Sequence, residues 1–416
     1  MLRGFAARPE EEGLHLRSES LTYPYSIQVF LEEILGRSAL HVAGDPGKFS
    51  MIASWATLND LLSFGGLSYP RLRLFKGGAE VPERAYTGGG DSSSPSLLVR
   101  ELTGALRGGA TLAIESVDEL RGPISDLCQI VEEAVAVPTH ADMFASWGEP
   151  TLTAMRCNEH DVFMFQVEGR REWRLHCPPD HAFMLHDPGD FEREPTWRGV
   201  LGKGDALYVP RGWLHRDEPA GDASLCIAAK FRQPTGTDLI GRLTYQLAGT
   251  RLSSDIPRFG PAQRLSQYLT SFQRELTEQA GRAGALAGAL AEIQMTAEPR
   301  IRFSLPWSAG EAPPPATEDF HIVPLVRFPG ACIRRCPGED AFEVFVGLSP
   351  TKFDHKVFPI VERVLLSRDV TARQLLDAFQ TELPRDKILQ CVAELIASGA
   401  VWLRGQATDC PIAPTS

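Results

Sequence analysis

The feature that most constrains the fold is a series of short β-rich segments between residues 110 and 232. Gly, Pro and Asp residues separate these segments, and no long helical pattern lies between them. The segments are TLAIESV, DVFMFQV, EWRLHC, DALYVP and SLCIAAKF. Many short strands in this arrangement predict an antiparallel sandwich or barrel. The long segment HAFMLHDPGDFEREPTW (181–197) separates two of the strands and is predicted to be a surface loop.

The flanking sequence predicts further domains. Residues 1–20 are polar and predict a loose tail, and SIQVFLEEILGRSALHV predicts a helix that runs into a strand. Residues 236–305 are predicted to be helical, with an Ala/Gly-rich end suited to close packing between subunits. The proline-rich stretch 306–320 predicts a linker. Beyond it, helical patterns near KVFPIVERVLL, VTARQLLDAF and RDKILQCVAELIASG precede AVWLRG, the element order of a winged helix over 321–416.

Charge and composition exclude several classes of protein. The formal net charge is -11, so a nucleic-acid partner is not expected from the overall field. Eight cysteines are scattered without a Cys-x-x-Cys pair and are expected to be reduced thiols. No apolar run reaches roughly 18 residues, and the first residues lack an apolar core segment. We therefore expect a cytoplasmic protein with no membrane partner.

The motifs together resemble one known family. FASWG, HDVFMFQVEGRREWRL and GKGDALYVPRGWLHRDEP, followed by a helical segment and a terminal winged helix, are similar to the ribosomal-oxygenase branch of the JmjC-type cupins. LHVAGDPGKF and RGGATLAIESVDEL fit the N-terminal region of the same family. The resemblance implies a double-stranded β-helix (jelly-roll) domain over residues 21–235. It also implies a homodimeric, Fe(II)- and 2-oxoglutarate-dependent hydroxylase of protein side chains.

The metal positions depart from that family pattern. A mononuclear Fe(II) oxygenase holds iron with two imidazoles and one carboxylate. His215, in LYVPRGWLH, matches the distal histidine of the family. A gap-free alignment of HDVFMFQVEGRREW places Arg156 and Asn158 where the proximal His-x-Asp pair is expected. Arginine has no lone pair to give, and asparagine lacks the anionic charge of aspartate.

The resemblance also implies changes in the cosubstrate pocket. Arg171 matches the basic residue expected to pair with the distal carboxylate of 2-oxoglutarate. Asp142 and Phe144 stand where the family shows Asn and Tyr, and Cys226 and Ala228 replace its usual His and Thr. We expect Asp142 to neutralise Arg171 or Arg156.

In a second interpretation, the chain is still an active enzyme. His140-x-Asp142, together with His215, satisfies a bare His-x-Asp…His pattern, so a metal site could have moved to the neighbouring strand. The alternative for His140 is a histidine of the sheet that hydrogen-bonds a neighbour.

Two hypotheses therefore remain. The favoured one is a degenerate pseudo-oxygenase that forms a homodimer, binds a peptide or protein partner and has no metal or cosubstrate at full occupancy. The other is an active hydroxylase that uses Fe(II) and 2-oxoglutarate at an unusual or relocated site.

Overall fold

The computed structural model describes most of the chain. The described residues are 16–63, 66–88, 96–148, 155–177, 194–221, 223–247, 256, 260–281, 284–305, 320–367 and 369–404. They belong to two compact units, Met1–Gln233 and Pro234–Ser416. Most of the predicted linker 306–320, of the predicted tail 1–20 and of the predicted loop 181–197 lies outside the described residues.

The first unit is built on an antiparallel sheet of eight strands. In spatial order these are β1 (Leu40–Val42), β12 (Ala206–Val209), β9 (Asp161–Glu168), β14 (Ser224–Phe231), β7 (Thr139–Gly148), β6 (Gly108–Ile114), β2 (Leu72–Lys76) and β3 (Ala79–Val81). The strands β9 and β14 lie at its centre and are almost wholly buried, which explains their continuous apolar runs.

A second sheet carries most of the charged residues of interest. Its four strands, in spatial order, are β11 (Trp197–Leu201), β10 (Arg171–His176), β13 (Leu214–Pro219) and β8 (Arg156–Cys157). A two-stranded sheet pairs β4 (Thr87–Gly88) with β5 (Ser96–Leu97). The helices of this unit are α1 (Ile27–Val29), a π-helical turn (Phe30–Ile34), α2 (Trp55–Ser63), α3 (Val99–Arg107) and α4 (Gly122–Val135).

Alternation along the central strands creates two separate cores. In β9, Phe163 and Phe165 face a large apolar cluster that also includes residues of α2, α3 and α4, whereas Val162 and Met164 face a smaller cluster. The smaller cluster also contains Trp173 of β10, so it lies between the two sheets. This follows from the two-residue period of a strand. The space between the sheets is where the candidate site lies.

A glycine turn joins β11 to β12 and fixes the edge of the larger sheet. Gly204 has φ +92°, and a Cβ there would lie 2.0 Å from the carbonyl oxygen of Asp45. Only glycine permits this approach. The neighbouring Asp205 accepts hydrogen bonds from the backbone of Gly44 and Gly202, each at 2.9 Å. The Gly-Asp turn therefore anchors the segment after β1.

The second unit begins with α5 (Gly236–Leu247), α6 (Ala262–Ala280) and α7 (Ala285–Met295). It continues with two three-stranded sheets and three helices. These are β15 (His321–Pro324), β16 (Ile333–Arg335), β17 (Ala341–Val346), β18 (Ser349–Asp354), α8 (Phe358–Leu366), β19 (Val370–Thr371), α9 (Ala372–Phe379), α10 (Arg385–Ala397) and β20 (Val401–Arg404). Among the described residues of the whole chain, no helix is long and apolar enough to cross a membrane.

Candidate functional site

The site is built on the inner face of the four-stranded sheet. Register places Arg156 of β8 directly opposite His215 of β13, and Trp173 of β10 directly opposite Asp217. Directly opposed residues in an antiparallel pair have Cβ atoms about 5 Å apart and project to the same side. His215 and Asp217 are each about 5% exposed, so both lie in the space between the sheets.

The charged residues form one network around the buried Asp217, in which Arg171 is buried and the Arg156 side chain is 42% exposed. Arg156 donates from Nη2 to Oδ1 of Asp217 at 2.6 Å, and Arg171 donates from Nε to Oδ2. Arg171 also donates from Nη1 to Oγ of Ser146, in the other sheet, at 2.8 Å. One carboxylate therefore joins strands β8, β10 and β13, and Arg171 connects that group to the eight-stranded sheet.

Burial and charge fix the ionisation of this network. Burial alone would raise the pKa of Asp217, but the cations of Arg171 and Arg156 hold that pKa well below its usual range. Burial alone would lower the pKa of Arg171, yet the Asp217 carboxylate raises it. The three residues are accordingly two cations bridged by one anion.

His215 is held as a neutral imidazole. Burial, and then the nearby positive charge of Arg156, lower its pKa to about 4. Its Nδ1 lies 3.3 Å from the carbonyl oxygen of Trp213, and its ring centroid lies 6.0 Å from that of Trp173. The imidazole therefore sits beside a permanent cation and against an indole.

This arrangement does not fit a divalent metal. The position across from His215 holds a guanidinium, which has no lone pair and repels a cation. Asn158 follows β8, and its backbone carbonyl accepts a hydrogen bond from Gly212 at 2.9 Å. Within the described parts of the chain, no group of three or more His, Cys, Asp or Glu side chains could hold a metal ion.

His140, Asp142 and His215 are not brought together as such a group. The His140 side chain is 50% exposed, and its Nδ1 lies 3.7 Å from Oδ2 of Asp118. Asp142 is buried but accepts from Lys230 and from the backbone of Ser116. The expectation that Asp142 neutralises Arg171 or Arg156 is therefore wrong, because Lys230, opposite His140 on the next strand, is its cationic partner. Asp217 takes the role expected of Asp142.

The altered pocket positions are packed rather than open. Cys226 and Ala228 belong to the apolar cluster between the sheets, and Phe144 packs against it. Burial raises the pKa of the Cys226 thiol to about 11, so it remains protonated. These three positions therefore add apolar surface to the cluster that contains Trp173.

Two residues of the site were missed by sequence reasoning. Asp217 stands two residues after His215, the spacing that places two strand residues on one face, so this signal was present in LHRDEP. Ser146 stands in FASWG and could be linked to Arg171 only through the packing of the two sheets.

Comparisons with known proteins agree with this architecture. Residues 121–239 match the family model of the JmjC domain. The bifunctional lysine-specific demethylase and histidyl-hydroxylase NO66 of Caenorhabditis elegans is 25% identical over 205 residues, which cover 46% of this chain and 26% of that protein. Its counterpart in Drosophila mojavensis is 24% identical over 216 residues, 50% of this chain and 23% of that protein. The chain thus aligns with about a quarter of the length of these curated relatives.

Solved structures extend the likeness along the chain. Escherichia coli ycfD superposes with a TM-score of 0.58 at 19% identity and covers 92% of this chain and 99% of its own. The same ribosomal oxygenase in complex with cobalt and 2-oxoglutarate gives a TM-score of 0.57 at 18% identity, with the same coverage. Residues 121–239 are therefore a JmjC domain of cupin fold. Over most of its length the chain has the fold of the Escherichia coli ribosomal oxygenase.

Proposed function

We propose that this chain is a pseudo-oxygenase: a JmjC protein that binds a peptide or protein partner without ordinary Fe(II)/2-oxoglutarate turnover. The observation that carries the proposal is Arg156, which lies directly opposite His215 and adds to the effect of burial in lowering the pKa of its imidazole. A metal would need two more donors near His215, and the nearest position offers a positive charge instead.

The residues at the cosubstrate pocket positions support the same proposal. Arg171 matches the residue that would hold a 2-oxoglutarate carboxylate, but it is 2% exposed and already bound to Asp217. Phe144, Cys226 and Ala228 add apolar surface to the interior of the same space. A dicarboxylate entering there would have to displace a buried ion pair, which is costly.

A peptide or protein partner is proposed from the relatives. The name of the Caenorhabditis elegans relative describes demethylation of lysine and hydroxylation of histidine, and the Escherichia coli neighbour is described as a ribosomal oxygenase. We infer that the retained scaffold still recognises a polypeptide. Homodimerisation through residues 236–305, a winged helix over 321–416, cytoplasmic localisation and the absence of a nucleic-acid partner are parts of the same proposal.

The competing function is an active hydroxylase that uses His140, Asp142 and His215. Separate partners for His140 and Asp142 count against it, since both would have to leave Asp118 and Lys230 to bind a metal. Metal content decides between the two functions.

The experiment is to measure iron by mass spectrometry in protein incubated anaerobically with Fe(II) and then desalted. We expect wild type to retain far less than one iron per chain, and no more than His215→Ala retains. Consumption of 2-oxoglutarate should equally match that of His215→Ala. Stoichiometric iron in wild type that is lost in both His140→Ala and Asp142→Ala would instead establish the relocated site.

A further inference from the structure

The carboxylate of Asp217 occupies a site that has the chemistry of a carboxylate receptor. Its Oδ1 lies 2.6 Å from Nη2 of Arg156, and its Oδ2 accepts from Nε of Arg171. The guanidinium group matches a carboxylate in both shape and charge. Ser146 fixes the orientation of Arg171 from the opposite sheet at 2.8 Å.

Because Arg171 is buried, its cation needs a carboxylate partner inside the protein. Arg171 is 2% exposed and Asp217 is 4% exposed, so neither charge has water to replace its partner. A buried cation without a counter-ion is strongly unfavourable, whereas the same cation with a hydrogen-bonded carboxylate is tolerated. Loss of the carboxylate should therefore destabilise the folded chain.

We propose that Arg156, Arg171 and Ser146 form a binding site for a small carboxylate, and that the chain fills this site permanently with its own Asp217. The inference rests on the proposed function, because it explains how a basic residue of the cosubstrate pocket is retained without a cosubstrate. External carboxylates are excluded from wild type because the site is occupied from within.

The size of the ligand follows from the side chain that it replaces. In Asp217→Ala the missing group is a carboxylate, which has the size of formate. In Asp217→Gly the missing group is the CH₂–COO⁻ unit, which has the size of acetate. Each variant should therefore accept the anion that restores the atoms it has lost.

The test is thermal unfolding in sodium formate or sodium acetate, with sodium chloride at equal ionic strength as the reference. For Asp217→Ala we expect a Tm lower than that of wild type by roughly 10 °C, because one partner of a buried pair has been removed. Formate should recover about half of that loss or more by mass action, and wild type should respond to formate only as it does to chloride. If formate and chloride act alike on Asp217→Ala, the proposal is overturned.

Two control variants separate this site from a general effect of anions. Asp161→Ala removes another buried carboxylate, which is held by the Tyr208 hydroxyl and the backbone N–H of Arg211. It should show no recovery specific to formate, because a hydroxyl and a backbone N–H hold that carboxylate in place of the two guanidinium groups around Asp217. Asp217→Asn keeps the shape without the charge and should also show none, because the amide fills the site.

A variant that does not fold still gives a result. Denatured Asp217→Ala and Asp217→Gly would be refolded by dilution into formate, acetate or chloride. A folded yield that rises in formate for the first variant and in acetate for the second supports the proposal, and equal yields in all three salts overturn it. If formate and acetate do not rescue the variants, the carboxylate site is refuted but the result of the iron measurement is unaffected. If wild type binds iron, the proposed function is refuted whatever the effect of formate.

Discussion

His215 and Asp217 lie two positions apart on β13, so both side chains enter the space between the sheets. The imidazole is neutral and the carboxylate is ionised, although both groups have the same surroundings. Burial and Arg156 keep the imidazole neutral, whereas Arg171 and Arg156 keep the carboxylate ionised. Acidification opposes both states, which gives the site a measurable pH dependence.

The pH dependence of stability has a defined sign. The pKa of His215 in the folded chain is about 4, below its ordinary value of 6.5, so the unfolded chain takes up this proton first as the pH falls. Folding should therefore be unaffected by His215 above pH 6.5 and should lose about 3 kcal/mol between pH 6.5 and 4. Asp217 adds a further loss as the pH falls below its ordinary pKa of 3.8, because the unfolded chain takes up this proton first.

Urea unfolding at a series of pH values checks this expectation. His215→Gln should show a smaller fall in the free energy of unfolding between pH 6.5 and 4 than wild type shows. His140→Gln is the matched control, since that ring is half exposed, and its curve should follow wild type. Equal slopes in wild type and His215→Gln would show that His215 is not a buried neutral imidazole.

At the scale of residues, the sequence predicted which residues belong to the site better than it predicted which of them form ion pairs. The positions of Arg156, His215 and Arg171 followed from motif spacing, and register brings Arg156 opposite His215. The partner of Arg171 did not follow, because Asp142 and Asp217 are both acidic residues near the pocket and only the strand pairing shows which one reaches it. Lys230, on the strand beside Asp142, decides that pairing.

At the scale of elements, the short β-rich segments between Gly, Pro and Asp residues predicted the central strands well. DVFMFQV, SLCIAAKF and DALYVP correspond to β9, β14 and β12. The weaker elements were harder to find. The two-residue strand β8 has no periodicity of its own, and β11 begins at Trp197, the last residue of the predicted loop. Such strands form because a neighbour supplies hydrogen-bonding partners, and a local sequence window does not contain that information.

The helix α6 carries the prediction for assembly. Leu265, Leu269 and Phe272 are spaced four and three residues apart and are 42%, 49% and 38% exposed, and none of the described residues of α6 is buried. An apolar stripe of this kind on an exposed helix favours a partner, and we propose a second copy of the chain.

Light scattering coupled to size exclusion tests this assignment. Wild type should elute as a dimer at micromolar concentration, and Leu265→Glu with Leu269→Glu should shift it towards monomer. The control Gln267→Glu with Ser271→Glu adds the same charge to the opposite side of α6 and should leave the dimer intact. A monomeric wild type, or equal dissociation in both variants, would contradict the assignment.

At the scale of the whole molecule, the strand pattern and the family resemblance together predicted the cupin fold, and the match of residues 121–239 to the JmjC domain confirms the family type. The two compact units meet in sequence at Gln233 and Pro234. The further division into a helical region, a linker and a winged helix stays a prediction. Most of its boundary at 306–320 falls outside the described residues.

We propose that the JmjC scaffold is retained, while a guanidinium and an internal ion pair occupy the places where metal and cosubstrate would bind. If the strand geometry is intact, the metal site should return when its ligands are restored, because β8 and β13 already place residues 156 and 215 opposite each other.

The most direct measurement is a calorimetric titration of Co(II) into wild type, His215→Ala and the double variant Arg156→His with Asn158→Asp. We predict no saturable binding by wild type or His215→Ala and binding of about one metal per chain by the double variant, since two imidazoles and a carboxylate are then available. Adding His215→Ala to the double variant should abolish the gain. Saturable one-to-one binding by wild type that His215→Ala removes would contradict the account.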